Sequence, residues 1–219
     1  MIRFNWFFLA LFGCAPVSFA AEPVTFQLVD IHKVDPSIAI ELRYAGSQNI
    51  ARRPLYPPGT KALTRPEVAH CLVTAQKVLN HYDYSLKIWD AYRPVSVQHQ
   101  LWAASHNNLY VADPDAGAGS LHTWGLAVDA TLVKANHKPV KMPTDFDDFT
   151  PAAMWKYNGP DHDIWVHLRL LQIAMGRSGF YGLRSEWWHF TVQQWKELLP
   201  PEESKKAVQA LRDNMQRSL

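Results

Sequence analysis

The sequence predicts an α+β domain, with a central and mostly antiparallel sheet on which helices pack. Three observations carry this expectation. Ile38–Tyr44 and Leu126–Val133 alternate apolar residues with polar or small ones, the period of two that marks half-buried strands. Val68, Cys71, Leu72, Ala75, Val78 and Leu79 recur at helical spacing and give one apolar face. The chain of 219 residues is 47% hydrophobic and 19% charged, enough apolar material for one sizeable core and too little charge for a disordered chain. No repeat or low-complexity linker divides it.

Taken in order, Met1–Ala20 reads as a secretory signal. Arg3 supplies the positive start, Phe4–Phe12 the short apolar run, and Ser18-Phe19-Ala20 the small residues before a cleavage at Ala21. Two other readings are an uncleaved anchor, for which the run is short, and a lipobox at Leu11-Phe12-Gly13-Cys14 with a lipid on Cys14. The expected division is therefore a signal over 1–20, one domain over 21–200 and a helical extension over 201–219. Val24–Val29 reads as a strand, and the Pro- and Gly-rich stretch 45–62 as a loop. Thr64 is expected to cap a helix that begins at Arg65 or Pro66. Cys71 falls on its apolar face as a small core residue. A short strand, Leu86–Trp89, ends at Asp90 and is followed by a helix over Val95–Ser105.

In the strand after Gly125, Leu126, Val128, Ala130 and Leu132 form a core face. Ala127, Asp129 and Thr131 share the other face, a lone carboxylate between two small residues. Asp161-His162-Asp163 is read as a helix start, with Asp163 as the cap and Gly179 as the stop, and not as a metal site. Ser185–Val192 is an aromatic strand. Residues 202–218 form a charged helix with an apolar stripe of Ala207, Val208, Leu211 and Met215.

Composition narrows the chemistry. The net charge is +2, and no Lys/Arg block reaches the length of a nucleic-acid patch. Nucleic acid is therefore not an expected partner, and no segment after the leader is long and apolar enough to span a bilayer. With Cys14 in the leader and Cys71 in the core, any metal must be held by His, Asp or Glu. Two stretches offer them: Ser120-Leu-His122-Thr-Trp-Gly125-Leu-Ala127-Val-Asp129, and Glu186-Trp-Trp-His189. His122, Asp129 and His189 match the three protein ligands of a hydrolytic zinc site, with Glu186 as a general base. The spacings are odd, seven residues and three, so convergence requires a turn, and Gly125 is where the first could lie. Each His taken alone also reads as structural, and spacing leaves the two readings open.

These motifs resemble the zinc D-alanyl-D-alanine dipeptidases of the vancomycin-resistance type. The wider group includes D-alanyl-D-alanine carboxypeptidases, lysostaphin-like peptidases and the hedgehog signalling domain. The pattern S-x-H-x-x-G-x-A-x-D is met at Ser120, His122, Gly125, Ala127 and Asp129, and E-x-W-H at Glu186, Trp188 and His189. Leu42-Arg43-Tyr44 with Asn49, Asp90-Ala-Tyr92-Arg93-Pro94 and Met142-Pro-Thr-Asp-Phe146-Asp147 extend the likeness over roughly residues 25 to 192. Pro143 and Ile50 depart from the family pattern, and the stretch between Arg93 and Ser120 is shorter. The likeness stops before the C-terminal helix.

The resemblance implies one zinc per chain on His122, Asp129 and His189. It implies that Glu186 activates water, that Arg93 steadies the oxyanion, that Asp147 meets the substrate's free amine, and that Ser120 helps to bind it. The expected activity is hydrolysis of D-alanyl-D-alanine, a small dipeptide, in the periplasm during turnover of peptidoglycan fragments. The alternatives are a D,D-carboxypeptidase or endopeptidase acting on longer wall peptides, and a non-catalytic zinc-containing wall-binding module. Asp147 argues against the first; Glu186 and Arg93 argue against the second.

Overall fold

The computed structural model describes residues 25–105, 107 and 110–217. The expected leader, including Cys14, lies outside the described residues. The elements run β1 (Val29–Asp30), α1 (Ile31–Val34), β2 (Ala39–Ile40), β3 (Leu63–Thr64), α2 (Pro66–Asn80), β4 (Tyr84–Asp90), α3 (Val95–Ser105) and β5 (Ala127–Lys134). They continue with α4 (His162–Arg177), β6 (Phe180–Leu183), β7 (Glu186–Val192), α5 (Trp195–Leu198) and α6 (Pro201–Arg217).

The main sheet has five strands in the order β2-β4-β5-β7-β6. Only β2 and β4 are parallel; the other neighbours are antiparallel. The expected fold class therefore holds. A separate ribbon pairs β1 with β3. Helices α2 and α4 pack on each other and on the sheet. Their buried faces carry Val68, Leu72, Ala75 and Leu79 from α2, and Leu168, Leu171, Ala174 and Met175 from α4. Cys71 lies in this core, as expected. Among the described residues no helix is long and apolar enough to cross a membrane.

The alternation in β5 does not separate a wet face from a dry one, because Ala127–Val133 is buried throughout. Leu126, Val128, Ala130 and Leu132 join the core, as their period predicts. On the opposite face Thr131 is also buried, beside a pocket lined by Arg43, Met142 and Thr144. Burial of both faces removes the contrast on which the alternation rule depends.

Several local expectations are corrected. The strand expected over Ile38–Tyr44 is only Ala39–Ile40, followed by a 3-10 turn at Arg43–Ala45. There the Tyr44 carbonyl accepts from the amides of Leu55 (2.8 Å) and Tyr56 (2.9 Å), which draws the chain off the sheet. Of the strand expected over Val24–Val29, only Val29 is in β1, and Val24 lies outside the described residues. Thr64 does not cap α2: its hydroxyl donates to the Gly125 carbonyl at 3.0 Å, and Arg65 is the cap residue, with no side-chain bond to the helix amides. Pro66 at the first helical position needs no donor satisfied there. Asp161, not Asp163, caps α4, accepting from the amides of Asp163 (2.9 Å) and Ile164 (3.4 Å). Ser185 precedes the last strand, and β6 is an additional strand beside it.

A buried polar group completes the sheet edge. Strand β2 is too short to pair with the start of β4, which leaves the Leu86 amide facing α2. Gln76, wholly buried, accepts from that amide at 2.8 Å and donates to Ser85 Oγ at 3.0 Å. Helix and strand are thereby locked in register without an unpaired buried amide.

Candidate active site

Two distortions of the sheet bring the two motifs together. The first is at Gly125. Residues Leu121–Trp124 form a 3-10 turn capped by Ser120, whose Oγ accepts from the His122 amide at 3.3 Å. Gly125 ends the turn in the left-handed region, with φ 64°. The left-handed backbone favours glycine there, and a Cβ would in addition crowd Leu28 Cδ2 at 3.0 Å. The turn changes the side-chain phase between His122 and Asp129, and the odd spacing ceases to separate them.

The second distortion is in β7. Its pairing with β6 jumps from Gly182↔Phe190 to Leu183↔Glu186. The bend required between Glu186 and His189 lies within that shift, and both side chains face the same cavity. On the other flank of the sheet, β5 pairs His189 with Asp129 directly. A further bulge in β4, between Ile88 and Asp90, sets Asp90 opposite Asp129.

The result is a tight cluster. His122 Nε2 lies 3.2 Å from His189 Nδ1 and 3.4 Å from Asp129 Oδ1. His189 Nδ1 lies 3.1 Å from the same carboxylate oxygen. His122 Nδ1 is 2.9 Å from the Ala91 carbonyl, which can only accept, so this nitrogen carries the proton and Nε2 is left bare. His189 Nε2 lies 3.1 Å from Thr191 Oγ1, which fixes the ring so that Nδ1 points at the cluster. Two nitrogens and a carboxylate oxygen at these separations repel unless a proton or a cation lies among them. Zinc with ligands at about 2.0–2.1 Å makes a tetrahedron whose edges are close to these distances. The residues present thus fit the metal.

Charge in the site follows from burial. Burial pushes Asp129 up, but the His122 and His189 rings beside it outweigh burial and hold the carboxyl well below its usual range. Burial lowers His189, which favours the neutral ring that a metal ligand must be. Glu186 is raised well above the ordinary carboxylate value, first by burial and then by Asp129 and Asp147. Asp147 is pushed up to about 7 by burial, against the hydrogen bond from the Ile50 amide.

Arg93 reaches the cluster from the end of β4. Its Nη2 lies 3.7 Å from Asp129 Oδ2. It is held by Asp90, whose Oδ2 accepts from Arg93 Nε (3.0 Å) and Nη2 (2.7 Å), and by Gln98, whose Oε1 accepts from Nη1 (2.7 Å). Tyr56 donates its hydroxyl to the other Asp90 oxygen. Asp147 stands in a loop at φ 56°, a strained position for a non-glycine residue. Its carboxylate accepts from the Ile50 amide (3.0 Å) and the Tyr44 hydroxyl (3.3 Å). Phe146, wedged against Tyr44, Trp89 and Trp188, anchors that loop, and Pro143 stands in it without displacing Asp147 from the cavity.

All seven expected residues line one cavity of about 530 Å³: Arg93, Ser120, His122, Asp129, Asp147, Glu186 and His189. Asp161, His162 and Asp163 lie elsewhere, at the start of α4.

Residues 24–207 match the family described as D-Ala-D-Ala dipeptidase, within the M15 peptidases. The chain belongs to this family. It is 31% identical over 170 residues to the D-alanyl-D-alanine dipeptidase of Escherichia coli, covering 78% of this chain and 86% of that one. It is 29% identical over 144 residues to the D-alanyl-D-alanine dipeptidase of Enterococcus faecium, covering 58% and 71%. Among solved structures it is similar to the vancomycin-resistance D,D-pentapeptidase VanY with Zn(II), at 15% identity and TM-score 0.40, covering 63% of this chain and 77% of that one. That likeness is remote, and membership rests on the sequence matches. As a member of the M15 dipeptidase family, the protein is a hydrolase with a metallopeptidase scaffold.

The sequence assigns no role to the residues that position this family's motifs here, although Tyr44 and Asp90 belong to stretches that carry the likeness. Asp90 is wholly buried and orients Arg93, while Tyr56, Gln98, Tyr44 and Thr191 hold the neighbouring groups. Asp90 left a signal, a carboxylate closing an apolar strand three residues before an arginine. Tyr56 and Gln98 left none, since their partners are distant in sequence.

The raised Asp147 has a consequence for stability. The folded chain holds a proton on this carboxyl from the ordinary value of 3.8 up to about 7, where the unfolded chain has released it. Its contribution to metal-free stability therefore falls as pH rises through that window. Asp147→Asn is expected to gain stability relative to the parent between pH 4 and 7. Urea unfolding of both metal-free proteins across that range tests it; a constant difference contradicts the assignment.

Proposed function

We propose that the protein hydrolyses D-alanyl-D-alanine, with one zinc per chain held by His122, Asp129 and His189. When bound, zinc supplies Lewis acidity at the scissile carbonyl and makes water acidic enough to attack near neutral pH. Glu186 takes the proton from the attacking water and delivers it to the leaving amine nitrogen. Burial raises its pKa, which makes the carboxylate a stronger proton acceptor than a free one. The Arg93 guanidinium faces the carbonyl oxygen as negative charge develops there, a contribution of roughly 3 kcal/mol to the barrier for one well-placed donor. Because Asp90 and Gln98 fix the guanidinium beforehand, little reorganisation is needed. Ser120 Oγ accepts from the His122 amide, and its own proton remains available to the substrate's carboxylate.

The observation that carries the dipeptide reading is Asp147. A buried carboxylate in a strained loop faces the cavity that holds the metal ligands and is not neutralised by a lysine or arginine. An ammonium group at the substrate's amino end supplies that partner, and a peptide bond at the same place does not. Cell-wall peptides extended at that end leave Asp147 unpaired. We also propose export to the periplasm and a role in turnover of peptidoglycan fragments, supported by the leader-like composition of residues 1–20.

Three measurements test these readings. The purified protein is expected to hold one zinc per chain by metal analysis, and His122→Ala to lose most of it and to unfold at lower temperature; undiminished zinc in the variant removes His122 from the ligand set. N-acetylation of D-alanyl-D-alanine is expected to reduce kcat/KM by roughly 10²- to 10³-fold, since it removes the ammonium that pairs with ionised Asp147 and adds bulk; breaking a buried pair costs up to about 3–5 kcal/mol, of which protonation of Asp147 and water entry offset part. Asp147→Asn should slow the free dipeptide and narrow that gap. An acetylated or wall-length peptide cut as fast as the free dipeptide establishes the carboxypeptidase or endopeptidase reading instead. Mass spectrometry of the protein from its source cell is expected to show a chain starting at Ala21. A lipid-bearing start at Cys14 establishes the anchored form, and an intact Met1 in the cytosol contradicts export.

A further inference from the structure

The cavity does not end at the catalytic motifs. Its lining continues from Ser120 through Gly119, Ala118 and Gly117 to Ala207, Ala210 and Asp213 of α6. The family match ends at residue 207, so the last part of this wall comes from beyond it. The contact is close and depends on small residues on both sides. A Cβ built on Gly117 would lie 3.1 Å from Ala210 Cβ and 3.6 Å from the Lys206 carbonyl oxygen. Gly117 (φ 60°) and Gly119 (φ 65°) both adopt left-handed backbone, which folds the segment flat against the helix. The base of α6 is fixed: Arg65 Nη1 donates to the Leu198 carbonyl at 2.7 Å, and Leu199 is buried. Ala207 and Val208 pack against the core.

We infer that α6 is the end wall of the substrate site on the carboxyl side, and that it excludes peptides extended beyond the second residue. The inference rests on the dipeptidase reading above for the direction of the substrate. With the amino end at Asp147, the carboxyl end points away from it, towards Ser120 and the Gly117–Gly119 segment that α6 backs. Two independent features oppose extension there. One is steric, the Gly117–Ala210 contact. The other is electrostatic: the outer lining carries Asp113 and Asp213, and among the described residues the one lysine or arginine in the lining is Arg93, already paired with Asp90. A third residue would bring its terminal carboxylate against two acids with no cation to receive it. Asp147 and α6 thus bound the site from opposite ends, and the catalytic domain extends past residue 200 into α6.

The test uses the full chain and D-alanyl-D-alanylglycine, whose products report the bond cut. Release of D-alanine with D-alanylglycine means that a carboxyl-side extension was admitted. The wild type is expected to favour D-alanyl-D-alanine over this tripeptide by at least about 100-fold in kcat/KM, and Gln209→Pro to narrow the preference to about tenfold or less. Gln209 is exposed, so proline there interrupts α6 before Ala210 without entering the core. Ala210→Trp forces the helix off Gly117 by a different route and should act in the same direction. Arg212→Ala, on the exposed side of α6, should leave the preference unchanged. Hydrogen exchange supplies a readout independent of turnover: amides of residues 113–121 should exchange faster in Gln209→Pro and Ala210→Trp. An unchanged preference in both variants, with the end of α6 shown to be open, overturns the wall. If the wild type does not cut D-alanyl-D-alanine, the dipeptidase reading fails by itself. The wall is then decided by exchange in 113–121, where faster exchange supports it and unchanged exchange overturns it.

Discussion

A carboxylate with no exposed surface, Asp90, holds the centre of this molecule. A buried charge is tolerated only when it is paired and hydrogen-bonded. Asp90 meets that requirement with Arg93 Nε and Nη2 and with the Tyr56 hydroxyl, and it stands 3.5 Å from His122 Nδ1. These partners come from the loop before β3, the segment after β4 and the turn before β5. Satisfying one charge therefore fixes three pieces of chain that have no regular structure of their own. Gln98 extends the network into α3, where its amide donates to the Ala112 carbonyl at 2.6 Å. The guanidinium that faces the cavity is thus rigid before any substrate arrives, and the 110–119 segment is tied to the same network.

The sheet supplies the other half of the construction through its faults. Regular strands would have pointed His122 away from Asp129, and Glu186 away from His189. A left-handed glycine and a register shift in β7 correct each odd spacing in turn. The bulge in β4 brings Asp90 opposite Asp129, which places the orienting carboxylate beside a second carboxylate with Arg93 between them. Glu186 and Asp147 are left facing this charge-dense region under desolvation, which is why both are harder to ionise than free carboxyls. The same crowding favours a cation among His122, Asp129 and His189, whose ligand-type atoms lie within 4.8 Å of one another.

The two ends of the cavity differ in origin. Asp147 sits on a loop held by aromatic packing inside the region that the family shares. The α6 wall is built where that region ends, from alanines whose only distinction is that they are small. A site can acquire a length limit in this way without altering its catalytic groups, because exclusion needs only an obstacle and an unfavourable charge.

Sequence by itself determined the fold class, the apolar faces of α2 and β5, the glycine needed at 125 and the chemical inventory of the site. Each of these depends on local periodicity or on a residue type that has one physical use at its position. It also misjudged what depends on competition between partners. Thr64 had the chemistry of a helix cap and spent its hydroxyl on the Gly125 carbonyl, while Asp161 displaced Asp163 because its carboxylate reaches two free amides. The strand at Ile38–Tyr44 shortened because the Tyr44 carbonyl found amides in a distant loop. Only the tertiary structure decided that Asp90 and Tyr56 orient Arg93, that Thr191 turns the His189 ring, and that Ala210 closes on Gly117. Such contacts join residues far apart in the chain, and a residue's neighbours in sequence carry no record of which distant group will take its hydrogen bond.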